Sequence, residues 1–235
     1  RRPLGTTLQG TRAGHVAEIE RRRFVTDEAL QANDAGPRIV SLIASATEIV
    51  CALGLQDQLV GRSHECDFPP AVGSLPVCTE PKFPDGTSYQ IDERIKAILQ
   101  GGLSVYRVDA GALERLAPDV IVTQTQCDVC AVSLADVEAA VCEMIGSRPE
   151  IVALEPNALE DIFADIEQVA DALGVAERGA DVAATLRRRM ADVERRAATV
   201  DERPAVACIE WIEPLMAAGN WMPELVEMAG GVSVV

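Results

Sequence analysis

From Arg38 to Leu173 short apolar runs alternate with segments of helical spacing, and this alternation limits the fold more than any other feature of the chain. Ile39-Val40-Ser41-Leu42-Ile43, Leu59-Val60-Gly61-Arg62-Ser63, Val105-Tyr106-Arg107-Val108, Val120-Ile121-Val122-Thr123 and Ile151-Val152-Ala153-Leu154 read as short buried strands. Helical segments follow at about 45–53, 91–100, 112–116, 133–144 and 159–173. Ser45 and Glu48 have the spacing of a capping box at the first of these. Ser133 with Asp136 caps a later one, and residues 71–90 read as a loop rich in Pro and Gly. Strands alternating with helices form a mostly parallel sheet covered on both faces, an α/β fold. Ligands of such sheets sit beyond the carboxyl ends of the strands. The loops 64–68 and 124–130 fall at that edge.

The alternation then stops. Val182, Leu186, Met190, Val193, Ala197 and Val200 make one apolar stripe, backed by Arg187-Arg188-Arg189 and Arg195-Arg196. About 22 helical residues span roughly 33 Å, close to the width of a small domain. A rigid connector between two lobes is expected, with a long surface helix of one domain as the alternative. After Pro204 a second unit starts: a strand at 205–209, a loop from Trp211 to Trp221, a helix at 223–229 and a further strand from Gly230. The expected organisation is a poorly packed arm at 1–37, an α/β lobe at 38–174, a connecting helix at 175–200 and the start of an incomplete second lobe at 201–235.

Charge narrows the partners. The 235 residues carry 21 basic and 37 acidic side chains, a net charge of −16, which repels phosphate backbones and argues against nucleic acid. No apolar stretch is long enough for membrane insertion. Seven cysteines cannot all pair, and Cys51, Cys142 and Cys208 sit in apolar stretches. This usage favours the cytoplasm, while an export signal preceding residue 1 would place the protein in the periplasm or outside the cell.

The sharpest chemical feature is the set His64, Cys66, Cys127 and Cys130, whose nitrogen and thiolate donors suit zinc, iron or another soft metal. Cys127-Asp128-Val129-Cys130 just before a helix also suits a redox dithiol. Cleft-lining thiols with a histidine bonded to backbone are the plain alternative. Trp211 and Trp221, the only tryptophans, would suit a flat or bulky ligand if they face the first-lobe loops, and are otherwise core anchors. Glu65, Asp67 and Glu155 have no evident partner acid or nucleophile, and no nucleophile elbow or phosphate loop occurs, so an enzyme is not expected.

Several of these segments together resemble a known family. Arg38-Ile39-Val40-Ser41-Leu42 leading into Ser45-Ala46-Thr47-Glu48, then Leu53-Gly54-Leu55 and Val60-Gly61, is similar to the opening of the cobalamin- and iron-chelate-binding proteins of ABC importers. Leu116-Ala117-Pro118-Asp119-Val120-Ile121 resembles a recurrent step of these class III solute-binding proteins. Trp211, Pro214-Leu215, Ala218-Gly219, Trp221, Glu224-Leu225, Glu227 and Gly230-Gly231 resemble the start of their second lobe.

The resemblance implies two Rossmann-like lobes joined by one backbone helix, with the ligand between them. It implies a lining from Ser45, Ala46, Thr47, His64, Glu65, Cys66, Phe68, Gln126, Cys127, Cys130, Trp211 and Trp221. Asp67-Phe68-Pro69-Pro70 is similar to a ligand-facing stretch of the cobalamin binders, and Glu114 and Glu227 match glutamates that dock on an ABC transporter permease. The His-Glu-Cys and Cys-x-x-Cys pairs depart from the common pattern. The expected function is non-enzymatic binding of a metal chelate, cobalamin or a related corrinoid, by a monomeric substrate-binding component of an importer or a cytoplasmic relative. A metalloprotein or thiol oxidoreductase built on the His/Cys set is the alternative, and a structural relative without a ligand a third.

Overall fold

Residues 36–101, 103–126, 131–144, 146 and 148–234 are described by the structure, a computed structural model. The expected arm lies outside the described residues up to position 35, and Arg38–Val235 forms one unit. Its centre is a parallel sheet of β1 (Ile39–Ser41), β2 (Leu59–Arg62), β5 (Val120–Gln124) and β6 (Glu150–Leu154), in the order β2-β1-β5-β6. β1 and β5 are the inner strands and are buried along their whole length, which is why both read as apolar runs.

Alternation along the strands builds two apolar layers. Ile39, Val120, Val122 and Val152 pack with Val50 and Leu53 of α1 (Ala44–Ala52) and Val169 and Leu173 of α5 (Leu159–Ala172). Val40, Leu42 and Ile121 face the other way, against Leu113 of α3 (Ala110–Leu116) and Val137 of α4 (Leu134–Glu143). The α/β class with helices on both faces is therefore as the alternation requires.

Three local expectations are corrected. α1 starts at Ala44 with Ile43 as its N-cap and no side-chain cap, so Ser45 lies inside the helix and makes no capping box. Ser41, Thr47 and the chain's direct entry from β1 set this start. The stretch at 71–90 is no plain loop: it holds a 3-10 turn at Pro70–Ser74, strand β3 (Thr79–Pro81) and the start of α2 (Ser88–Gln100), where Thr87 and Gln90 form the capping box. The apolar run at 105–108 becomes β4 (Tyr106–Val108), which pairs antiparallel with β3 outside the main sheet. Its short length and Tyr106 gave no sign of which partner it would take.

The long helix α6 (Ala176–Ala197) has 22 residues. It is tied to the sheet layer by Arg178, which donates to the Leu53 carbonyl at the end of α1. It crosses α5 at Gly179, where an added Cβ would stand 2.4 Å from that of Ala170. Arg187 lies 4.3 Å over the Phe163 ring and pairs with Glu160. The stripe is used unevenly: Ala183 is buried, Val182, Leu186 and Met190 are half-buried, and Val193 and Val200 are exposed. Past it, β7 (Ala205–Val206) pairs parallel with β10 (Val232–Ser233), with α7 (Met222–Met228) between them in sequence. The expected loop at 211–221 contains a hairpin of β8 (Ile209–Trp211) with β9 (Met216–Ala217).

Two outcomes follow for stability. Gly179→Ala forces α5 and α6 apart and costs about 1–3 kcal/mol, read as a lower urea midpoint at constant m-value. Burial pushes Asp165 of α5 up to about 6, with Asp161 adding to the effect. A carboxyl raised in the folded state favours folding while protonated and loses that contribution as pH rises through about 6. Asp165→Asn therefore stabilises the chain by about 1–2 kcal/mol at pH 7, with the gain vanishing below about pH 4.

Candidate ligand-binding site

The order β2-β1-β5-β6 reverses direction at β1, since the chain passes from β1 to β2 on one side and later returns to β5 on the other. The crevice beyond the carboxyl ends of β1 and β5 is the topological switch point, where open α/β sheets hold ligands. β1 ends there in Ser41 and passes into α1, β2 ends in Arg62 and delivers the loop from Ser63 to Phe68, and β5 ends in Thr123 and Gln124.

The polar side chains under this edge form a buried network. The Ser41 hydroxyl donates to the Ile43 carbonyl at 3.0 Å. Thr47 Oγ1 donates to Ser41 Oγ at 2.8 Å and lies 3.0 Å from Cys66 Sγ. Cys66 is 1% exposed, and burial pushes its thiol up, against a smaller opposing effect from Thr47. Arg62 clamps the loop from below: its guanidinium donates to the carbonyls of Ser63 and Cys66 at 3.0 Å and of Gly73 at 3.1 Å.

His64 is held by the small ribbon. Thr79 of β3 donates to Ser63 Oγ at 3.1 Å and accepts from the His64 backbone N–H at 3.0 Å. The same Thr79 oxygen is 2.7 Å from His64 Nδ1. Thr79 therefore holds the His64 ring through Nδ1 and its backbone N–H together, and Nε2 faces away from that bond. That Nε2 lies 3.8 Å from Glu65 Oε1. The imidazole also rests against Tyr106 of β4, ring centroids 5.2 Å apart. Burial, and then the neighbouring Glu65 carboxylate, push the Tyr106 phenol up to about 12, so it stays a neutral donor. Phe68 projects from the loop, 57% exposed.

The expected site residues thus divide. Thr47 and Cys66 are joined below the edge, Ala46 is buried with them, and Ser45, Glu65 and Phe68 are exposed at it. Gln126 is half-buried just after β5. Cys127 and Cys130 lie outside the described residues. Cys66 points into the Thr47 network while His64 is engaged by the ribbon, and among the described residues no three His, Cys, Asp or Glu side chains gather as a metal site. Trp221 packs beside Phe163, Leu186, Leu225 and Met228, as an anchor between α5, α6 and α7. Trp211 is on β8, its Nε1 donating to the Glu213 carbonyl. Glu114 on α3 and Glu227 on α7 are both exposed.

Sequence reasoning missed Thr79, Tyr106, Thr123 and Gln124. Thr79 sits in the short run Val77-Cys78-Thr79-Glu80, which has no strand alternation and lies between prolines. Thr123 and Gln124, polar residues closing an apolar run, are buried, with Thr123 Oγ1 and Gln124 Nε2 lacking a partner among the described residues.

The chain matches the family model described as "Periplasmic binding protein" over residues 39–235. No curated protein matches it. Among solved structures it is similar to the periplasmic heme-binding protein RhuT from Roseiflexus sp. RS-1 in apo form, with 24% identity and a TM-score of 0.60 over 84% of this chain and 65% of that one. The periplasmic vitamin B12-binding protein BtuF of Vibrio cholerae shares 21% identity at a TM-score of 0.58, again over 84% and 65%. A periplasmic heme-binding protein from Pseudomonas aeruginosa shares 21% at 0.57, over 84% and 62%. The chain therefore spans somewhat less than two thirds of the length of these structures, and the likeness shows the fold.

The thiols give a direct check of the geometry. Cys142 is exposed, while Cys66 and Cys78 are buried and burial pushes Cys78 up to about 11. Iodoacetamide at pH 8 labels Cys142 in the native chain within minutes, and Cys66 and Cys78 only after unfolding, as read by peptide mass mapping.

Proposed function

The chain belongs to the periplasmic binding protein family, and from that premise we propose that it binds a metal chelate of the heme or corrinoid class without chemical conversion, for delivery to an ABC importer. The observation that carries this reading is His64: a half-buried imidazole at the sheet edge whose Nδ1 is held by Thr79 and whose Nε2 faces away from that bond. Metal-ligating imidazoles have their far ring nitrogen fixed in this way by a hydrogen bond. Phe68 adds an exposed aromatic face, and the site stands at the switch point of the sheet. The similar proteins named above carry heme or vitamin B12 in their descriptions, which favours a tetrapyrrole over a bare ion.

His64 takes the axial position on the metal, Phe68 lies against the macrocycle, and Ser45 meets its edge. The second lobe closes from the other side, with Trp211 as its aromatic contribution. Glu114 and Glu227 dock on the permease, and the protein works outside the cytoplasmic membrane.

Equilibrium dialysis of hydroxocobalamin and of hemin, followed by absorbance, tests the reading. One of the two is retained with a shifted spectrum, and His64→Ala loses the shift and binds at least about tenfold more weakly, about 1.4 kcal/mol. Retention of neither compound would sink the proposal. Retention with an unchanged spectrum in His64→Ala would leave the ligand and remove His64 from the metal.

A further inference from the structure

Unsatisfied donors of two independent kinds meet at the switch point. The first kind belongs to α1, which opens without a side-chain cap. The backbone N–H groups of Ala44, Ser45 and Ala46 therefore have no intrahelical acceptor. The helices α2, α3 and α4 are closed instead by Thr87, Asp109 and Ser133.

The second kind is Gln124, the last residue of β5. It is 6% exposed, and its Nε2 has no hydrogen-bond partner among the described residues. Val122 pairs with Ser41 in the sheet, and Leu42 donates to the Val122 carbonyl at 2.8 Å. Strand alternation puts Gln124 on the same face as Val122, the face α1 covers. It stands two residues nearer the strand end, past the last β1 pair, on the side where β1 runs on into α1. A buried amide left unpaired is costly, and proteins keep such groups where a ligand satisfies them.

The Gln124 amide nitrogen and the first-turn N–H groups are donors, with the exposed Ser45 hydroxyl at their rim. The positive end of the α1 dipole adds to them. Only a group rich in acceptors matches such a set. We propose that Gln124 and the N-terminus of α1 form an oxyanion subsite that holds a carboxylate or phosphodiester side group of the bound chelate. The assignment of that oxyanion to a chelate rests on the function proposed above; the subsite itself does not.

The test has two arms. In the first, the 15N-labelled chain is titrated with sodium propionate and with inorganic phosphate, using chloride as control. Saturable shifts of the Ala44, Ser45 and Ala46 amides and of the Gln124 side-chain amide are expected, and their loss in Gln124→Leu. Leucine replaces an unpaired amide by an apolar chain of similar size, so this variant keeps its fold, as its spectrum reports. In the second arm, hemin is compared with its dimethyl ester, and hydroxocobalamin with cobinamide, which lacks the phosphodiester. Gln124→Leu lowers the affinity for the oxyanion-bearing member of the bound pair about tenfold and leaves the other member unchanged. The pair that responds identifies the source, carboxylate or phosphodiester. Equal losses in both members, or an absence of amide shifts in the first arm, overturn the subsite. Amide shifts without binding of any tetrapyrrole keep the subsite and overturn the chelate reading instead.

Discussion

Parallel pairing of β1 with β5 is the constraint on which the rest of the molecule depends. Both strands are buried on both faces, so each must be apolar until it reaches the carboxyl edge. Polar side chains enter only there, as Ser41 at the end of β1 and Thr123 and Gln124 at the end of β5. The reversal of connection at β1 opens a crevice at the same edge. The site and the end of the hydrophobic core are consequences of one pairing.

Support for this edge comes from outside the main sheet. The ribbon of β3 and β4 adds no strand to it, yet it supplies Thr79 and Tyr106, which fix the His64 ring from two sides. Arg62 fixes the same loop through three carbonyl groups. A loop held this way presents an exposed aromatic and an imidazole with little conformational freedom left to lose, which lowers the entropic cost of binding at this edge. The long helix works at the opposite side. Gly179 lets it approach α5 closely, Arg187 covers Phe163, and Trp221 joins α7 to both helices.

The sequence reading succeeded where burial writes a period into the chain. The five strands with their helices, and the 22-residue α6, were legible because apolar spacing reports which faces are covered. It erred where local signals compete with the approach of distant chain. Ser45 and Glu48 have capping-box spacing, but the direct run from β1 puts the N-cap two residues earlier, at Ile43. The run at 105–108 looked like another parallel strand, but β3 paired with it in the opposite sense. For Cys66 and His64, two residues apart, linear spacing held no sign of their separate hydrogen-bond partners. Strand-end geometry sends the thiol to Thr47, 19 residues away in sequence, and the imidazole to Thr79, 15 residues away.

By itself the sequence determined the class of the fold, the edge of the sheet at which a site would form, and the family resemblance. All three follow from short-range periodicity and from motifs that survive in linear order. Only the tertiary structure decided which side chains meet at that edge, that Thr79 holds the His64 ring, that Trp221 is a packing anchor, and that Gln124 is buried with its amide nitrogen unpaired among the described residues. Those outcomes depend on strand order and register, and a hydrogen bond between residues far apart in the chain leaves no mark on either one's neighbours.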